Sequence, residues 1–233
     1  MEHTLGIDTS SIELGIGLVS GGRPVMAVSR YLRNSHAEHI SQAVDYLLAA
    51  NKVKPLEISH AAIAVGPGSF TGLRIGIAFL KGFFFGRDGR VLPVSSLESM
   101  AGAWPAQEAR IVCASDARNG QVFWARFEKR NGIVARLSDD VLSPVDEFKQ
   151  AVSNNDIVIT DTLGYAKSAA FNFLRGRTSV FPVEEFPLQR GLSCATIAGL
   201  RADDSAGWTT ADHIVPRYLS EVQAEKKRTV QTP

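Results

Sequence analysis

The run Gly66-Pro67-Gly68-Ser69-Phe70-Thr71-Gly72-Leu73-Arg74-Ile75-Gly76 lies between an apolar strand pattern, Ala61–Val65, and an apolar helix pattern, Ile77–Phe85. Glycine at such a junction permits positive φ and close backbone approach. The helix start beyond it offers unpaired N–H groups to an anion. The run is not a G-x-x-x-x-G-K-[ST] phosphate loop, because no Lys-Ser or Lys-Thr follows, and its glycine spacing is not that of a dinucleotide fingerprint. Ser69 reads as a helix N-cap rather than a nucleophile, since no Gly-x-Ser-x-Gly surrounds it. His36 and His39 flank Glu38, but their i, i+3 spacing is not the i, i+4 of helical zinc motifs. Ser35 with Glu38 instead fits a capping box, and a cation there would oppose the positive helix terminus. Cys113 and Cys194 have neither metal spacing nor the signature of an active thiol. Asp116 and Arg118 read as a polar turn between strands. No catalytic residue and no metal ligand is assigned.

The elements that must position these residues follow from periodicity. Leu5–Thr9, Leu14–Val19 and Val25–Ser29 predict three consecutive strands, separated by Ser10-Ser11 and by the Gly21-Gly22 turn. Ile40, Ala43, Val44, Leu47 and Leu48 fall at i, i+3, i+4, i+7 and i+8, the stripe of an amphipathic helix. A strand at 61–65, a helix over about 70–85 and a strand at 91–94 form a βαβ unit, and a short helix covers Leu97–Ala103. In the middle helix Leu73, Ile77, Leu80 and Phe84 form one apolar stripe, while Ile75, Phe79, Phe83 and Phe85 leave little polar face. Gly72 and Gly76 share a side that admits close backbone approach. A helix this apolar is buried on several sides, by its own sheet or by another subunit.

Beyond about residue 105 the strand-rich pattern restarts. Ile111–Ser115, Val122–Phe127 and Ile133–Leu137 are strand candidates, with Asn131-Gly132 as a hairpin turn. A helix near Pro144–Ala151, a strand at Ile157–Thr160 and helices near Tyr165–Phe173 and Ser193–Arg201 follow. Strands then helices in both halves predict a layered α/β protein of two lobes, 1–105 and 106–222, with a polar tail over 223–233. The recurrence is architectural, without a repeated sequence motif.

The chain has 233 residues, 45% hydrophobic and 21% charged, with a formal net charge of +1, an ordinary globular composition. No stripe of Lys and Arg marks a nucleic-acid face, and Lys226-Lys227-Arg228 reads as a solvated end. The two cysteines suit a reducing cytoplasm. Met1-Glu2-His3-Thr4 runs directly into a strand without room for a signal peptide, and the apolar stretch near Ile77–Phe85 is too short to span a bilayer. The expectation is a soluble, cytoplasmic protein.

Leu5-Gly6-Ile7-Asp8-Thr9-Ser10-Ser11, together with the glycine run, closely resembles the bacterial TsaB (YeaZ) family. Further matches are Arg33-Asn34-Ser35-His36-Ala37-Glu38, Pro93-Val94-Ser95-Ser96-Leu97-Glu98, Asp116-Ala117-Arg118 and Pro216-Arg217-Tyr218-Leu219. The resemblance implies an actin-like, sugar-kinase-like (ASKHA) two-lobed fold with a reduced second lobe. It implies a non-catalytic scaffold in the biosynthesis of threonylcarbamoyl-adenosine on tRNA. The chain would dock a TsaD-like catalytic subunit, allow recruitment of a TsaE-like ATPase, and pair with itself when alone. It would touch tRNA only through the complex, and no membrane partner is expected.

The contact surface implied by the resemblance comprises His36, Glu38, His39, Ile40, Ala43 and Leu47 on one helix, with Phe70, Gly72, Leu73, Arg74, Gly76, Ile77 and Leu80 on the next. Asp8, Thr9, Ser10, Gly66 and Gly68 would form a vestigial nucleotide pocket. In actin-like ATPases a carboxylate such as Asp8 helps hold a nucleotide-bound metal; the plainer use is to initiate a turn by bonding the backbone two residues on. The second-lobe phosphate turn would fall at Ile159-Thr160-Asp161-Thr162-Leu163-Gly164, which has a single glycine. The catalytic paralogue carries two metal-binding histidines where this chain has Ser96 and Met100, and neither hydroxyl nor thioether replaces imidazole on such a cation. No intrinsic cofactor is expected, and ATP or ADP would sit at the interface of the complex. The alternatives are an autonomous actin-fold ATPase or small-molecule kinase and, more remotely, a metallopeptidase.

Overall fold

A computed structural model describes residues 2–32, 35–160, 169–174, 179–182, 189–202 and 206–219. The first sheet begins with an antiparallel meander of β1 (His3–Asp8), β2 (Glu13–Ser20) and β3 (Arg23–Tyr31). The chain then forms α1 (His36–Ala50), β4 (Ile58–Gly66), α2 (Phe70–Phe83), β5 (Arg90–Ser95) and α3 (Ser96–Ala103). β4 lies parallel to β1 and β5 parallel to β4. The second sheet repeats this plan. β6 (Ala109–Arg118), β7 (Gln121–Arg130) and β8 (Ile133–Arg136) are antiparallel neighbours, with β9 (Val141–Pro144) pairing β7. After α4 (Val145–Ala151), β10 (Ile157–Thr160) lies parallel to β6 and β11 (Val180–Pro182) parallel to β10. The strand orders β3-β2-β1-β4-β5 and β8-β7-β6-β10-β11 are therefore one topology used twice, as the actin-like α/β expectation requires.

Period-2 alternation decides which core each strand serves. In β4, Ala61, Ile63 and Val65 join the cluster beneath α1 and α2, while Ala62 and Ala64 join the opposite cluster with Cys194, Ile197 and Ala198. In β6, Ile111 and Cys113 pack with Leu97, Met100 and Trp104, and Val112 and Ala114 with Phe148, Phe171 and Leu174. The Asn131-Gly132 turn has φ of 51° and 77°, both positive as a two-residue hairpin demands.

Three expectations are corrected. The assignment of 106–222 to one lobe fails, because α5 (Arg190–Leu200) packs on β1 and β2, and β12 (Thr209–Thr210) adds to the edge of β5. The chain returns to its first sheet, and the small side chains of β4 on that face make room for it. The Ser35–Glu38 capping box does not form: Ser35 makes no side-chain cap bond, and the Glu38 N–H donates instead to the Ser35 carbonyl at 3.2 Å. The helix expected near Tyr165–Phe173 is, over its described part, a 3₁₀ turn at Ala169–Leu174. Arg33 and Asn34, Asp161 to Gly164, and the tail over 223–233 lie outside the described residues.

Candidate functional site

β1 ends at Asp8, where the backbone turns through Thr9 and Ser10 against α3 and α5. Asp8 Oδ1 accepts from the Ser10 N–H at 2.9 Å and from Ser10 Oγ at 2.6 Å, the turn-initiating geometry of a short carboxylate. Oδ2 accepts from Ser99 Oγ on α3 and faces Arg190 Nε on α5 at 3.0 Å. Arg190 Nη2 also donates to Ser10 Oγ at 2.7 Å and to the Ser96 carbonyl at 3.2 Å. Asp8 is 1% exposed and Arg190 2%. A carboxylate offers about four lone-pair positions, and here all are engaged. A nucleotide-bound metal at Asp8 would first have to displace the guanidinium, so the residues present do not fit that group.

Two close approaches hold the turn in place. Ser69 N–H donates to the Ser10 carbonyl at 2.7 Å, which seats the Gly66-Pro67-Gly68 loop on the Asp8 turn. A Cβ at Gly72 would lie 2.0 Å from the Thr9 carbonyl oxygen, and one at Gly76 2.4 Å from Thr9 Oγ1. On the other face of the sheet, a Cβ at Gly6 of β1 would lie 2.0 Å from the Gly191 carbonyl oxygen of α5. Absent side chains thus let α2 and α5 clamp β1 from both sides. Ser69 caps α2 as expected, its Oγ accepting from the Gly72 N–H at 3.1 Å.

Asp8, Thr9, Ser10, Gly66 and Gly68 are therefore brought together; Ser96 lies beside them, its carbonyl accepting from Arg190, while Met100 packs with Ile111 and Cys113 against the second sheet, and both are fully enclosed. Sequence reasoning missed Arg190, Ser99 and Glu13. Glu13 is 1% exposed, accepts from Ser29 Oγ at 2.8 Å, and is pushed above the ordinary carboxylate range by burial, with Arg190 pulling it back. Nothing in the spacing of Gln189-Arg190-Gly191 signals an arginine bound for the interior. No group of three or more His, Cys, Asp or Glu suited to a metal occurs among the described residues.

The thirteen residues expected to form a contact surface separate into two sets. Ile40, Ala43, Leu47, Leu73, Ile77 and Leu80 sit in the intramolecular core, and Gly72 and Gly76 face Thr9 rather than outward. The glycine face is thus a correction: the close approach it serves lies within this chain. His36 is buried as well, its Nε2 donating to the Ser11 carbonyl at 2.9 Å and tying α1 to the β1–β2 turn. His39 is half-buried. The outer faces present Glu38, Phe70, Arg74 and, unforeseen, Tyr46 at 61% exposure. Phe70, Arg74 and Tyr218 form a stack: the Arg74 guanidinium lies 3.7 Å from the Phe70 ring centre and its Nε donates to Tyr218 Oη at 2.9 Å. Phe85, just past α2, is 89% exposed. Among the described residues no helix is long and apolar enough to cross a membrane.

Comparison with known proteins agrees with this architecture. A family model described as TsaD, tRNA N6-adenosine threonylcarbamoyltransferase, matches residues 28–203. The chain is 36% identical over 161 residues to the tRNA threonylcarbamoyladenosine biosynthesis protein TsaB of Escherichia coli (strain K12), covering 66% of this chain and 69% of that one. It is 34% identical over 136 residues to the protein of the same name in Bacillus subtilis (strain 168), covering 58% of this chain and 59% of that relative's length. Its fold is similar to that of YeaZ from Pseudomonas aeruginosa, with a TM-score of 0.75 at 23% identity over 94% of this chain and 100% of that one. The chain belongs to the family that the matching model describes and, within it, to the TsaB (YeaZ) branch.

Proposed function

We propose that the chain is a non-catalytic scaffold in the biosynthesis of threonylcarbamoyladenosine on tRNA, the process that the names of its relatives state. The observation that carries this reading is the buried Asp8–Arg190 pair. The carboxylate best placed to hold a nucleotide-bound metal is already neutralised by an arginine of the same chain. Ser96 and Met100 add support, since neither side chain is a good ligand for a hard or borderline cation. Transfer chemistry then belongs to a TsaD-like partner. ATP or ADP, where it takes part, binds at the interface with that partner rather than at Asp8.

Docking uses the outer faces of α1 and α2, where Tyr46, Phe70 and Phe85 expose aromatic area beside Arg74, the residue types enriched at interface centres. The same faces pair two copies of the free chain, and the assembled pair recruits a TsaE-like ATPase. tRNA meets the complex rather than this chain alone, and the whole assembly works in the cytoplasm. Sedimentation of the chain with its TsaD-like transferase tests the docking. Tyr46→Asp and Phe85→Asp are expected to abolish the mixed complex while leaving thermal unfolding unchanged. Mixed complexes that survive both substitutions would place the contact elsewhere.

A further inference from the structure

The sequence Arg-Asn-Gly occurs twice, and each copy closes a hairpin of the second sheet. Asn119-Gly120 joins β6 to β7, where Arg118 faces Gln121, and Asn131-Gly132 joins β7 to β8, where Arg130 faces Ile133. The two turns share one backbone conformation: φ is 51° and 72° in the first, 51° and 77° in the second. With sequence and local geometry matched, a difference in reactivity between them comes from their surroundings.

Asparagine before glycine carries its own electrophile and nucleophile. These are the amide carbon Cγ and the next backbone nitrogen, which glycine leaves unhindered. At Asn131-Gly132 that nitrogen is engaged. The Gly132 N–H donates to the Gln107 carbonyl at 3.1 Å, and the Asn131 N–H donates to Glu108 Oε1 at 2.8 Å. A Cβ at Gly132 would lie 2.7 Å from Gln107 Oε1, so the segment before β6 covers this turn on one side. At Asn119-Gly120 both residues are exposed, and the Gly120 N–H has no hydrogen-bond partner among the described residues. A Cβ at Gly120 would meet nothing within 4 Å. Gly120 is held through its carbonyl, which accepts from the Val145 N–H at 3.0 Å, and that bond leaves its nitrogen unengaged.

We propose that Asn119 is a site of spontaneous covalent modification in the folded chain, with water as the co-reactant. Gly120 N attacks Asn119 Cγ: the N–Cγ bond forms, the Cγ–Nδ2 bond breaks, and the proton from Gly120 N leaves with Nδ2 as ammonia. Water then opens the five-membered imide. Attack at Cγ gives aspartate; attack at the backbone carbonyl carbon gives isoaspartate, in which the main chain runs through the side chain. Either product adds a negative charge, and isoaspartate also lengthens the main chain between Arg118 and Gln121, which face each other across the ladder. The altered turn is the second-sheet counterpart of the turn that follows Asp8, because the two sheets share one strand order. Asn131 must first give up the Gly132 N–H bond, and it reacts more slowly.

Peptide mapping by mass spectrometry of the full chain, held in mildly alkaline buffer and sampled over time, tests the assignment. Conversion at Asn119 is expected to run at least about five-fold faster than at Asn131, the ratio that opening one net hydrogen bond gives. The chain in urea is the internal control. Without the fold the two Arg-Asn-Gly runs are expected to react at similar rates, with Asn131 accelerated more than Asn119. Asn119→Gly keeps a residue suited to positive φ and has no amide to lose, so ammonia release from the folded chain is expected to fall. Equal rates at the two sites in the folded chain, faster conversion at Asn131, no conversion at Asn119 while the chain in urea reacts, or unchanged ammonia release from folded Asn119→Gly would each overturn the proposal.

Discussion

Arg190 Nε lies 3.0 Å from Asp8 Oδ2 with both side chains almost wholly enclosed, and this pair joins α5 to the end of β1. The arginine stands at the first position of α5, where a helix terminus disfavours positive charge. Its placement is compensated by Asp8, by Ser10 Oγ and by the Ser96 carbonyl. The joint between α5, α3 and the end of β1 is therefore made from groups of the protein itself.

Removing one partner strands the other. Arg190→Met is expected to cost about 3–5 kcal/mol, because Asp8 remains buried without its counter-charge. Asp8→Asn with Arg190→Met together should cost much less than the sum of the single changes. Urea denaturation of the three variants measures this, and additive losses would show that the two residues act independently.

Glu13 sets a pH dependence. Burial raises its folded-state pKa above the ordinary 4.5, so the native state holds a proton that the unfolded chain has released. Its contribution is fully present below that ordinary value and is lost as pH rises through the folded one. Glu13→Gln keeps an oxygen to accept from Ser29 and removes the titration. The variant is expected to gain stability over the wild type as pH rises from 4.5 to 7, read as a growing difference in urea midpoint. A constant difference across that window would contradict the assignment.

Stability and assembly should separate along α2. Gly76→Ala forces a methyl group against Thr9 Oγ1 and is expected to lower the thermal midpoint by several degrees, at a cost of about 1–3 kcal/mol. Phe70→Ser lies on the half-exposed outer face and should change the midpoint little while weakening association. The opposite pattern, a neutral Gly76→Ala, would show that α2 does not rest on Thr9.

Neither thiol should react in the folded chain. Cys113 and Cys194 are fully buried, and burial pushes both well above the ordinary thiol range. Labelling with an aromatic disulfide at pH 8 is expected only at the rate of unfolding, rising with urea. Immediate labelling of either cysteine in the absence of denaturant would contradict this.

Where apolar residues repeat with a clear period, the elements were legible in sequence: the β1–β3 meander, α1, the β4–α2–β5 unit and the Asn131-Gly132 hairpin all follow from it. β9, β11 and β12 were not: β11 and β12, of 3 and 2 residues, are too short to show a period, and β9 ends in Pro144, which reads as the start of a helix. The glycines of α2 announced a close approach but not its partner, since Thr9 is distant in sequence and a second subunit would leave the same pattern. Arg190 was illegible for a related reason. Its burial depends on Asp8, Ser10 and Ser96 converging from other elements, and no local spacing records that convergence. Ser35 and Glu38 show the converse, a cap signature whose backbone geometry, φ −131° and ψ 25° at Ser35, is not that of a capping residue.

The most direct measurement is threonylcarbamoylation of tRNA by the TsaD-like and TsaE-like partners with this chain present or omitted, alongside ATP turnover by the chain alone. Modification that requires the chain, with no turnover by the chain alone and none gained in folded Arg190→Met, is the expected result. Modification that proceeds equally without it, or ATP turnover by the purified chain that is lost on Asp8→Ala, would contradict the scaffold function.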